Sequence, residues 1–112
     1  MLAALPAAAQ QSETYRPATA GEIYAGIMEG ALASWVQDPA QRTTLSTAMA
    51  TSYIIGVADS ARNRQWCPKQ PPSIQALSGV VLDYLADISE ARRSENAAAV
   101  IAEALGRAYP CP

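Results

Sequence analysis

The chain has 112 residues, half of them hydrophobic, a formal net charge of −2, a single lysine and no histidine. That length bounds it to one domain with a modest core, and the charge excludes both the clustered basic face of a nucleic-acid binder and a polybasic membrane anchor. Without histidine the chain lacks the commonest general base and metal ligand and has no Ser–His or Cys–His nucleophile of its own. Its two cysteines, with no flanking carboxylates, do not make a zinc site. No catalytic residue, cofactor or metal is expected.

Residues 1–9, MLAALPAAA, read as the remnant of a signal peptide ending in an Ala-x-Ala cleavage site, against the plainer alternative of an Ala-rich tail. No apolar run reaches the ~18 residues of a membrane span. Residues 10–18 are polar, contain Pro17, and read as a flexible arm. A single helical domain is expected over residues 19–112. Thr19 and Glu22 form a capping box, and the helix after it places Tyr24, Ile27, Met28, Ala31 and Trp35 on one stripe. Gly26 and Gly30, four apart, offer close approach to another backbone. Asp38, Pro39 and Gln41 open a second helix running to about Arg62, with Leu45, Met49, Tyr53 and Gly56 on its apolar side.

Three prolines, Pro68, Pro71 and Pro72, then enforce a loop over residues 63–72. Ser73 caps a third helix, with Ile74, Leu77, Val80, Val81, Tyr84, Leu85 and Ile88 in a clean stripe. Ser89 or Ser94 starts a fourth, with Ala97, Val100, Ile101, Ala104, Leu105 and Ala108 inside. Strand alternation is missing. The fold class is therefore all-α, a compact bundle of about four helices. Cys67 and Cys111, just after helices two and four, are read as one disulfide rather than two free thiols. If the leader is a secretion signal, an oxidising compartment favours the bond.

The stretch from Tyr53 to Cys111 resembles a known family. The residues that carry the likeness are Tyr53-Ile54-Ile55-Gly56-Val57-Ala58-Asp59-Ser60, Trp66-Cys67-Pro68, Gln75, the pairs Val80-Val81 and Tyr84-Leu85, and Ala104-Leu105 with Ala108-Tyr109-Pro110-Cys111. They resemble the Rap/Tai family, the immunity proteins of type VI secretion amidase effectors. Many relatives carry a second cysteine pair where this chain has Met28 and Ala50. The resemblance implies a helical fold, a periplasmic location, frequent homodimerisation, no enzyme activity, and the blocking of a peptidoglycan amidase as the protein partner.

Within that frame, Tyr53, Gly56 and Asp59 form the structural motif, and Asp59 is expected either to accept hydrogen bonds from the loop amides or to touch a partner. Together with Arg62 just before it, the loop gathers three of the eight basic residues. Arg62, Arg64, Trp66, Lys69 and Gln70 are the candidate partner-binding set, since Trp and Arg dominate binding hot spots. The competing reading of Trp66 is a cover over the disulfide. Asp83 and Asp87, four apart, read as a solvated acidic face. The rival function is a small periplasmic helical stress or chaperone-like protein, suggested by the size, the single disulfide and a pI near 4.9.

Overall fold

The structure, a computed structural model, describes residues 14–112. The leader remnant at 1–9 and the first part of the arm lie outside the described residues. Among the described residues four α-helices occur in order: α1 (Ala20–Met28), α2 (Pro39–Ala61), α3 (Ile74–Asp87) and α4 (Ala97–Ala108), with short 3-10 turns at Ala31–Ala33 and Glu90–Ser94. The all-α bundle and its disulfide are as the sequence predicts. No helix among the described residues is long and apolar enough to cross a membrane.

The capping residues act as expected at three of four starts. Thr19 and Glu22 exchange reciprocal hydrogen bonds, Asp38 accepts from the Gln41 amide, and Ser73 accepts from the Ala76 amide. Arg16 grips both Glu22 oxygens at 2.8 Å. That guanidinium and the Thr19 amide hold the Glu22 pKa down at about 2. The fourth start differs from the expectation. Ser89 opens only a 3-10 turn, and α4 is capped by Asn96, whose side chain accepts from the Ala99 amide. The chain before α1 also pairs with this corner: Ala20 N–H donates to Glu95 and Ala97 N–H to Ala18.

Two expected stripes are corrected. α1 stops at Met28 because Gly30 takes φ +69°, a left-handed conformation that breaks the helical register. Met28 and Trp35, expected inside, are therefore 57% and 66% exposed, while Ala20, Ile23 and Gly26 face the core. A Cβ at Gly26 would lie 2.6 Å from the Leu32 side chain, which would have to shift to admit it. On α2 the buried positions are Ser46, Ala50, Ile54, Val57, Ala58 and Ala61, one residue, or about 100° of rotation, from the expected stripe. Leu45 and Met49 point outward, Tyr53 is half-buried, and Gly56 is exposed. In the first half of α2 small residues, Ser46 and Ala50, face inward where the helix packs closely against α1. The buried Ser46 hydroxyl donates to the Gly26 carbonyl and accepts from the Leu32 amide, so its polar group is satisfied.

α4 touches each of the other three helices. Val100, Ile101, Ala104 and Leu105 meet Ile23, Ile54, Val81 and Leu85 at the centre. Ala108, predicted on the inner face, is exposed at the helix end.

Candidate partner-binding surface

The site is built on how the chain leaves α2. Asn63 adopts φ +62°, a left-handed conformation that asparagine tolerates better than most residues. This reverses the chain at once. Asn63 N–H donates to Trp66, and the Arg64 and Gln65 amides both donate to Ala61. The turn swings Trp66 back beneath α2. Its indole N–H donates to the Ala58 carbonyl at 2.8 Å, and its ring meets Tyr109 edge-on at 5.5 Å.

Trp66 is 4% exposed. It belongs to the core and does not project as the interface anchor expected from the sequence; only a sliver of its ring is left at the floor of a hollow beside the loop. The backbone beside it is fixed by α4. A Cβ at Gly106 would lie 2.6 Å from the Gln65 carbonyl, so only glycine admits the loop there. Cys67 is then tied twice, by its amide to the Tyr109 carbonyl and by its disulfide to Cys111. Pro68, Pro71 and Pro72 stiffen the stretch between Cys67 and α3.

The remaining candidates are exposed: Arg62, Arg64, Lys69 and Gln70. They do not form one cluster. The loop is a ridge between two hollows. One, about 550 Å³ and open, lies between Lys69, Gln70 and the Tyr109–Pro110 tail. The other, about 150 Å³, lies between Arg62, Asp59 and the three prolines. Arg64 lines neither and folds back onto the Ser60 carbonyl through Nε and Nη2. Asp59 is exposed and clamps no loop amide; the backbone carbonyls of Ala61, Trp66 and Tyr109 do that work.

Residues 19–111, from the cap of α1 to the disulfide, match the Rap1a immunity proteins. The chain belongs to the Rap1a immunity protein family. No curated protein matches it. A Rap1a protein is an immunity protein against a secreted effector, so the surface that matters is one for a protein partner.

The Rap1a chain has one more polar assembly, on the α3–α4 side. Tyr84 donates to the Glu103 carboxylate, and Arg92 bridges Glu103 at 2.9 Å and Glu95 at 3.0 Å. The Glu95 carboxylate holds Arg92 even more firmly protonated, and Arg92 in turn lowers the Glu95 pKa. Arg107 lies over the Tyr84 ring at 5.4 Å. These groups are neutralised among themselves and tie the 3-10 turn to α4. Asp83 and Asp87 stand exposed beside them, and among the described residues no acidic, cysteine or histidine cluster could hold a metal.

Sequence reasoning misses Gly106 and Asn63. Gly106 carries a local signal, a glycine inside an otherwise clean helical stripe. Asn63 has the residue type of a left-handed turn, but nothing nearby in the sequence says that the turn will return the chain under α2.

Proposed function

We propose that this Rap1a-family chain is a periplasmic immunity protein that binds and inhibits a peptidoglycan amidase delivered by type VI secretion. The observation that carries the reading is the ridge at 67–72, anchored by the buried Trp66 and the Cys67–Cys111 bond. A ridge that is already ordered loses little conformational entropy on binding, and inhibition by occluding a cleft needs no chemistry from the inhibitor. Lys69 and Gln70 present hydrogen-bond donors along it, with the exposed Arg62 and Arg64 just before it, suited to an acidic or carbonyl-rich cleft wall. The bond itself fits an oxidising compartment.

The experiment is a titration of a neighbouring-gene amidase with the oxidised chain, read out by release of stem-peptide fragments from peptidoglycan. Stoichiometric loss of activity is expected. Arg64→Ala and Lys69→Ala should each weaken calorimetric affinity by about 1–2 kcal/mol without lowering the thermal midpoint. Full amidase activity in excess of the chain would remove the reading. Cell fractionation with alkylation of free thiols tests the compartment: the chain should appear in the periplasmic fraction, unlabelled.

A further inference from the structure

The smaller hollow has features that the fold itself does not use. Its floor is apolar, made by Trp66 and Leu77, and its walls are Pro68, Pro71 and Ile55. Ile74 stands at the mouth, 59% exposed. At about 150 Å³ it has room for one large side chain, well below the ~300–1,000 Å³ of small-molecule sites. On its rim Asp59 makes no hydrogen bond or ion pair among the described residues, and does not pair with Arg62 three residues on.

One turn before Asp59 lies Gly56, where a Cβ would meet nothing within 4 Å. Glycine in an exposed helix costs about 1 kcal/mol against alanine, and no packing inside the molecule calls for it. A longer side chain at this position would stand in open space one helical turn from Asp59, beside the rim of the slot.

We propose that this slot receives one aliphatic or aromatic side chain of the effector, flanked by a lysine or arginine that pairs with Asp59. The proposal rests on the immunity reading above and names the chemistry of its contact. The apolar floor selects the first group, and the unpaired carboxylate selects the second.

The first test uses the chain alone. N-acetyl-leucyl-lysinamide at tens of millimolar should shift the Trp66 indole resonance and the amides of residues 55–62 in a nitrogen–proton correlation spectrum. N-acetyl-leucyl-glutamic acid amide should shift them less, and Asp59→Lys should reverse that order. A spectrum unmoved by both dipeptides overturns the slot, whatever the effector does. The second test titrates the cognate amidase with Asp59→Lys and with Gly56→Gln. Each should weaken binding roughly tenfold or more, and Gly56→Gln should leave the thermal midpoint unchanged or raise it.

Full affinity in both variants, with Arg64→Ala weakened, overturns the slot and leaves the immunity reading standing. A wild-type chain that binds no amidase overturns the immunity reading and the slot's occupant together. A wild-type dimer dissociated by Gly56→Gln would assign the slot to a second copy and likewise overturn the proposal.

Discussion

The two tryptophans sit off opposite ends of α2, a helix of 23 residues and so about 34 Å long, and they have opposite fates. Trp66 is 4% exposed and Trp35 is 66% exposed. Both come after a left-handed residue, Asn63 and Gly30. After Asn63 the chain turns back under α2, where the Ala58 carbonyl and the Tyr109 ring await the indole. After Gly30 the chain makes one 3-10 turn, and the Trp35 turn is held by Arg42, which donates to the Val36 and Gln37 carbonyls. Holding the backbone there leaves the ring outside. Side-chain hydrophobicity is the same in both places. The difference is whether the reversal delivers the ring to a waiting acceptor and an apolar wall.

That contrast sets the order of expected effects. Trp66→Ala removes a buried ring and leaves the Ala58 carbonyl without its donor, and should cost about 3–5 kcal/mol in urea unfolding. A cost below 1 kcal/mol would mean that the two ends do not differ in the way described. Cys67→Ser with Cys111→Ser should cost about 4 kcal/mol, the value the chain-entropy model gives for a ring of this size, with a matching fall in midpoint on reducing the native chain. Gly106→Ala presses a methyl into the Gln65 carbonyl and should cost about 1–3 kcal/mol; calorimetric scanning would show it.

At the other end, Arg42→Ala gives up its bonds to two carbonyls in a partly exposed setting, and a loss of about 1 kcal/mol is expected. Trp35→Ala should change stability by no more than about 0.5 kcal/mol. It should also remove most of the tryptophan fluorescence that acrylamide quenches, leaving the protected Trp66 signal. If Trp35→Ala destabilises as much as Trp66→Ala, the ring is packed and the comparison fails.

Legibility in the sequence tracks the range of the interaction that decides each feature. Thr19, Asp38 and Ser73 act within three residues of themselves, and their capping is legible from spacing alone. Asn96 obeys the same rule but is hidden behind Ser89 and Ser94, two residues equally suited to a cap. The face of α2 is displaced by one residue from the expected stripe because large side chains do not mark the inside of its first half. Close approach to α1 instead favours Ser46 and Ala50, while Leu45 and Met49 lie on the flank. In the candidate site, the exposure of Arg62, Lys69 and Gln70 accords with local polarity. The burial of Trp66 does not, because its acceptor is eight residues back and its aromatic neighbour is 43 residues on, at Tyr109.

The Cys67–Cys111 bond also decides how the molecule responds to being pulled. Its sulfurs close α3, the second 3-10 turn and α4 into a covalent ring spanning a sequence separation of 44. Force applied between the first described residues and Pro112 therefore passes from Cys67 straight across the bond to Cys111 and cannot extend the ring. Unfolding can release only the length held before Cys67. Cleaving the bond by a reductant during the pull would add about 150 Å of contour at ~3.3–3.6 Å per residue, so the intact and reduced chains would differ as tethers by a single measurable step.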